Sequence, residues 1–210
     1  IYLSRLSHEA NLGLTLIVLS VYCFFRAINN KHNAWCLIAS AAAFGLSLNS
    51  YQSQKIIAPV LVCLLGVLFW RQLLLIKKEL LISFILGLVI AAPIIYTNVQ
   101  PEALTRLRAT STFSANQRKI ESVKIYLLNY GSHLRPQWLF AGEERESHKV
   151  PGLGLLYLWE APLILLGIVW LLRSALDVRI KVFIFLWLLS APLPAAITTQ
   201  APHAMRSFTF

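Results

Sequence analysis

Long apolar segments, separated by short polar or basic breaks, make up most of this chain. A helix needs about 20 apolar residues to cross a hydrocarbon core about 30 Å thick, and several of these segments approach that length. Hydrophobic residues are 57% of the sequence and charged residues only 13%. We predict one all-α transmembrane domain over 1–210, a polytopic bundle of about six helices in a lipid bilayer. The predicted helices are residues 10–28, 34–50, 56–72, 80–97, 152–172 and 182–199.

The positive charges indicate how the chain is oriented. A net charge of +10 would suggest nucleic acid for a soluble protein, but here the cations collect at the ends of apolar segments. Breaks 26–33, 71–79 and 173–181 hold eight Lys and Arg residues, against three in the short breaks of the opposite side. The positive-inside rule places these three breaks in the cytoplasm. We expect a plasma (inner) membrane protein with both ends of the chain and the 98–151 loop extracytoplasmic, and no nucleic-acid partner.

The 98–151 loop is too long to be a simple connector, and long loops of this kind usually carry function. Ile120, Val123 and Leu127 recur at near-helical spacing, which predicts an amphipathic helix over 116–130 that lies on the membrane. Trp138 is either part of a binding loop or an aromatic anchor at the membrane interface.

Polar residues at the predicted extracytoplasmic ends are candidates for chemistry. Arg5, His8 and Glu9 lie together before the first helix, where a carboxylate suits a divalent cation and a guanidinium suits a phosphate. The alternative is an ordinary solvated helix start, with Glu9 favoured there by the helix dipole. Lys55 either holds a lipid phosphate or only extends its ammonium to the head-group level.

Two further positions stand out near the end of the chain. Glu160 is predicted about 13 Å along the fifth helix from residue 151, and intramembrane acids tend to face a cavity or a cation. The alternative is a carboxylate close enough to the surface to stay hydrated. His203 and Arg206 would share one face of a helix, as a phosphate site or as a simple interfacial flank.

Four segments resemble, in order, motifs of GT-C membrane glycosyltransferases. The similarity is to the bacterial family 39 group, which is like the dolichyl-phosphate-mannose–protein mannosyltransferases. Each motif alone is short, but together they cover most of the chain. The segments are Ser4-Arg5 with His8-Glu9, residues 45–55, residues 133–142 with His148 and 151–157, and residues 202–207.

The resemblance implies a GT-C fold and transfer of a sugar from a polyprenyl-phosphate donor to an acceptor protein or glycolipid at the extracytoplasmic surface. It also implies a catalytic aspartate in a loop before the first helix, whereas Asp177, the one aspartate here, is predicted to be cytoplasmic. We therefore expect an internal or truncated piece of a longer protein, inactive alone.

The same resemblance assigns roles to the polar residues. Glu9 would be a ligand of Mg²⁺ or Mn²⁺, although His8-Glu9 replaces the family's usual aspartate. The group near the donor phosphate or metal would be Arg5, His8, Glu9, Lys55, His203 and Arg206. The substrate-loop group would be His133, Arg135, Trp138 and Glu160.

A multi-pass transporter or lipid flippase is the alternative function, followed by a structural membrane subunit. Transporters often show internal repeats, with broken helices in matching halves and a polar site at the midplane. This sequence shows no clear repeat, and only Glu160 is predicted to lie deep in the membrane.

Overall fold

A computed structural model describes residues 8–29, 34–101, 111, 119–142, 153–199, 201–204 and 206–207. The chain divides into two compact units, one up to residue 107 and one from residue 108. The regular structure of the described residues is helical, and their one β-feature is an isolated bridge between Ser111 and Thr198. The all-α fold class is therefore confirmed.

The first unit contains most of the predicted apolar segments. The segment predicted at 56–72 is interrupted at Phe69, where the backbone leaves helical geometry (φ −114°, ψ 20°) and a new turn begins. The elements are α1 (His8–Asn29), α2 (Ala34–Ser50), α3 (Gln54–Leu68), α4 (Trp70–Leu73), a 3-10 turn (Leu74–Ile76) and α5 (Lys77–Val99).

The second unit begins with helices inside the predicted loop. A helix does form near residues 116–130: it covers the described residues from 119 and ends at Ser132, two residues later than the amphipathic pattern predicts, while 116–118 lie outside the described residues. The elements are α6 (Lys119–Ser132), a π-helical turn (Gln137–Ala141), α7 (Glu160–Arg173), α8 (Val178–Ser190) and the short α9 (Leu193–Ala196).

Three stretches within the described residues are long and apolar enough to cross a membrane: Glu9–Asn29, Trp70–Val99 and Val178–Ala196. Helices α2 and α3 are also apolar but have only 17 and 15 residues. These lengths support membrane association through three helices.

Helices α1 and α2 are joined by a reciprocal pair of serine hydrogen bonds. The Ser20 hydroxyl donates to the Ser40 carbonyl at 2.6 Å, and the Ser40 hydroxyl donates to the Ser20 carbonyl at 2.8 Å. Both serines are almost completely buried. Small hydroxyl residues let two backbones come close in a lipid environment, where apolar contacts give no net gain over contacts with lipid.

Helix α2 approaches α5 through glycines. A Cβ placed on Gly45 would lie 3.0 Å from the Gly87 carbonyl oxygen, and one on Gly87 would lie 3.4 Å from the Ala41 carbonyl oxygen. Ser83, Gly87 and Ala91 follow each other at four-residue spacing on α5, so they form the small-residue stripe that such close packing requires. Helix α2 is therefore held on two sides, by α1 and by α5.

The contacts also define the helix directions in the first unit. Gly13 lies against Ser50 and Gln54, whereas Phe24 and Phe25 contact the ring of Phe69 at the other end of α1. Helices α1 and α3 therefore run one way, and α2 and α5 run the other way. We call the end where α1 and α3 begin the tip end. The opposite, basic end carries Arg26, Arg71, Lys77 and Lys78.

The position predicted for Glu160 is wrong. Helix α7 begins at Glu160, and a turn at 158–159 precedes it, so this carboxylate lies at the start of the helix rather than well inside it. Its Oε2 accepts the Tyr157 N–H at 2.8 Å, so the carboxylate bonds to the turn before the helix. The sequence does not reveal where α7 begins, because residues 155–159 before the helix are as apolar as the helix itself.

Gly45 and Gly66 are a matched pair for testing the close helix packing. Gly45→Ala should destabilise the first unit by about 1–3 kcal/mol, because the new methyl group meets the α5 backbone. Gly66→Ala should be neutral or stabilising by up to about 1 kcal/mol, because no described atom lies within 4 Å of that Cβ. Reversible unfolding in mixed micelles measures both; equal effects would contradict the packing described above.

Asp177 provides a pH test of the start of α8. Its side chain accepts the Arg179 N–H at 2.9 Å, and the Arg179 side-chain hydrogen bonds, followed by this backbone bond, lower the pKa of Asp177. A carboxyl with a lowered folded-state pKa stabilises the fold above its unfolded pKa of about 3.9, and this contribution is lost as pH falls through the folded pKa. The stability difference between wild type and Asp177→Asn should therefore shrink below about pH 4. A stability difference that does not change with pH would show that the Asp177 carboxylate does not stabilise the start of α8.

Candidate functional site

The polar residues selected from the sequence divide between the two units. Glu9 and Lys55 lie in the first unit. Arg5 lies outside the described residues, and His8 is described only as the first residue of α1. The residues in the second unit are His133, Arg135, Trp138, Glu160, His203 and Arg206.

Lys55 is held at the tip end of the first unit. The Gln54 N–H donates to the Tyr51 carbonyl at 3.1 Å, so the chain turns sharply between α2 and α3. This turn places Lys55 in the first turn of α3, where its Nζ donates to Oδ1 of Asn98 at 3.0 Å. The result is a cation fixed where α3 begins and α5 ends.

Gln54, beside Lys55, is a residue that the sequence reasoning missed. It is fully buried, and neither its amide nitrogen nor its amide oxygen has a hydrogen-bond partner in the part of the chain that the structure describes. A Cβ on Gly13 would lie only 2.8 Å from its Cγ, so the side chain fills the space that Gly13 leaves open. The sequence signal was a glutamine at the start of an apolar segment, but only the packing shows that it points inward.

Glu9 is exposed in the first turn of α1. Across the described residues, no group of three His, Cys, Asp or Glu side chains lies close enough together to hold a metal ion. The assignment of Glu9 as a ligand of Mg²⁺ or Mn²⁺ stays a prediction.

His133 lies at the centre of a buried contact in the second unit, formed with Trp138 and His203, which we call the joint. It is only 2% exposed, and its Nδ1 lies 2.8 Å from the Asn129 carbonyl oxygen. Since a carbonyl can only accept, Nδ1 carries the proton. Nε2 is then free to accept the His203 backbone N–H, 3.1 Å away. His133 is therefore a neutral imidazole whose two ring nitrogens both bond to protein backbone. The bond with His203 connects two segments that are 70 residues apart in the sequence.

Trp138 belongs to the same joint. It is 1% exposed, and its ring meets the His133 ring edge to face with centroids 5.3 Å apart. This burial excludes the alternative of an exposed aromatic anchor at the interface. Of the predicted residues, the structure therefore brings His133, Trp138 and His203 together.

Two glycines allow the chain to cross itself beside this joint. The Leu156 N–H donates to the Leu139 carbonyl at 2.8 Å. Gly142 has φ +78°, and a Cβ there would lie within contact distance of the Leu153 backbone, while one on Gly154 would overlap the backbone of Leu139 and Phe140. Gly142 and Gly154 of this motif therefore allow close backbone contact.

The C-terminal half of α6 is bonded to the end of the α8–α9 region. The Asn129 amide donates to the carbonyls of Ala196 at 3.2 Å and Thr198 at 3.4 Å. The Tyr130 hydroxyl donates to the Leu189 carbonyl at 2.7 Å. The prolines at 192 and 194 cannot donate amide protons, so the chain bends there and side chains of α6 bond to carbonyls around the bend.

Among the described residues around His203 and Arg206, the chain forms a turn that Ser207 closes. The Ser207 N–H and hydroxyl both donate to the His203 carbonyl, at 3.2 and 3.0 Å. His203 is buried, Arg206 is partly exposed, and Arg135 is exposed after the end of α6. The neutral, buried joint thus carries two arginines near its surface, and guanidinium groups suit phosphate oxygens.

No family model, no curated protein and no solved structure matches this chain.

We expect His133→Ala to destabilise the second unit by about 2–4 kcal/mol, because it removes two buried hydrogen bonds and leaves a cavity. Leu134→Ala is the matched control, since Leu134 is the next residue and is 45% exposed. Hydrogen exchange of peptides covering 129–140 and 201–207 measures both variants. Equal protection from hydrogen exchange in wild type and His133→Ala would show that these bonds of His133 do not stabilise the second unit.

Proposed function

We propose that this chain is part of a GT-C membrane glycosyltransferase that transfers a sugar from a polyprenyl-phosphate donor to an extracytoplasmic acceptor protein or glycolipid. The four ordered sequence motifs support this proposal. The observation that carries it is Lys55, a motif residue that Asn98 holds at the tip end of an apolar helix group.

The chemistry of glycosyl transfer explains why a fixed cation matters. When the bond between sugar and lipid phosphate breaks, negative charge grows on the phosphate that leaves. A positioned ammonium in a site of low dielectric constant stabilises this charge more than mobile solvent does. Lys55 has this role in the proposal. Arg5 supplies further positive charge. Arg135 contacts the donor or acceptor from the long loop, which His133 and Trp138 shape.

The proposed topology places the tip end outside and the basic end in the cytoplasm. The four cations of the basic end follow the positive-inside rule. In this topology α2, α3 and α7 join the three longer apolar helices to complete a six-span bundle. Glu9 contributes to a Mg²⁺ or Mn²⁺ site next to the phosphate.

The test is glycosyl transfer by the protein at its full natural length, reconstituted in proteoliposomes with radiolabelled polyprenyl-phosphate sugars. Lys55→Ala should lower kcat about 100-fold, the usual cost of removing one group that stabilises transition-state charge. Lys78→Ala is the control, because Lys78 is an exposed lysine at the basic end of the same unit.

Equal turnover of Lys55→Ala and wild type would exclude the phosphate role of Lys55. If the folded wild-type protein transferred no sugar but moved the labelled lipid across the bilayer, the alternative of a flippase would replace the proposal.

A further inference from the structure

Helix α6 turns several polar side chains inward and four large apolar side chains outward, beside the exposed Glu121 and Lys124. Ser122 is 4% exposed, and Asn129 and His133 lie on the same inner face with their bonds to the protein backbone. On the outer face, by contrast, Ile120 is 84% exposed and Leu127 is 60% exposed. This is the reverse of a helix on the surface of a water-soluble protein, where the apolar stripe faces the core.

The position of α6 relates this face to a membrane span. The Tyr130 hydroxyl bonds to the carbonyl of Leu189, which belongs to the candidate span Val178–Ala196. Asn129 bonds to Ala196, the last residue of that span. The side chains of Leu188 and Leu189 are themselves 43% and 47% exposed, so the span presents apolar surface close to the same attachment point.

We propose that the outer face of α6, formed by Ile120, Val123, Leu127 and Leu128, lies in the interfacial layer of the lipid bilayer. The inference rests on the membrane location in the proposed function, but it does not depend on the enzymatic activity. Amphipathic helices of this kind insert their apolar face about 5–10 Å into the boundary between head groups and acyl chains. Lys124, exposed beside Ile120 and Leu127, extends its ammonium toward the phosphates.

Lipid fits this face better than water or a second copy of the chain. In water, the four large apolar side chains of this outer face would remain more than half exposed, each at a cost of about 1–2 kcal/mol. A protein partner would need a complementary surface, whereas the bilayer is already present at the end of the attached span. Continuity with Leu188 and Leu189 therefore decides in favour of lipid.

The attachment has a consequence for the loop after α6. Arg135 follows the helix end by three residues and is exposed, while His133 and Trp138 on either side of it are fixed in the buried joint. A helix held in the interfacial layer keeps this arginine at the level of the lipid phosphates. In this way α6 sets the depth of the second unit relative to the head groups.

The test is nitroxide accessibility in the full chain reconstituted in liposomes, after Cys23, Cys36 and Cys63 are changed to Ala. Labels are placed one at a time at Leu127, at Ile85 and at Lys78. Ile85, 52% exposed on α5, reports whether the candidate span Trp70–Val99 is in lipid, and Lys78 is the aqueous reference. At Leu127 we expect several-fold greater relaxation by oxygen than by a water-soluble nickel complex, and a depth of about 5–10 Å.

The other outcomes separate this inference from the membrane location. A lipid-exposed Ile85 with a water-exposed Leu127 would overturn the inference and leave the membrane location intact. A Leu127 label shielded from both reagents would indicate a protein contact, such as a second copy, and would also overturn it. A water-exposed Ile85 would contradict the membrane location itself.

Discussion

The close contact of α2 with its two neighbours is the constraint on which the first unit depends. Lipid competes well for apolar side chains, so apolar surface alone does not hold membrane helices together. The reciprocal bonds of Ser20 and Ser40 on one side, and Gly45 against Gly87 on the other, replace that driving force with backbone proximity. They also fix the axial register of the helices, which is why the starts of α1 and α3 meet at the tip end.

In the second unit, side chains of α6 donate hydrogen bonds to backbone carbonyls around the bend after α8. The chain after α8 contains prolines, so its carbonyls need donors from elsewhere. Asn129 and Tyr130 provide them from α6, and His133 uses both ring nitrogens to bond α6 to the segment at His203. One short helix thus connects the end of an apolar helix, the long loop and the C-terminal turn.

These two arrangements place cations differently. Lys55 is fixed by Asn98 in a turn between two apolar helices, whereas Arg135 and Arg206 lie beside a rigid, uncharged joint. A cation at a lipid phosphate contributes most when its position does not change during the reaction. The buried amide of Gln54, which has no hydrogen-bond partner among the described residues, adds a polar group next to Lys55 that the sequence motif did not reveal.

The sequence by itself determined the all-α class and most of the helix positions, because apolar length and helical period are properties of local segments. It also indicated a helix near 116–130. It could not show that α7 begins only at Glu160, because the turn before it is as apolar as the helix. The burial of Trp138, the tautomer of His133 and the inward side chain of Gln54 were decided only by the tertiary structure. Each depends on contacts between residues far apart in the chain, and local patterns carry no record of such contacts.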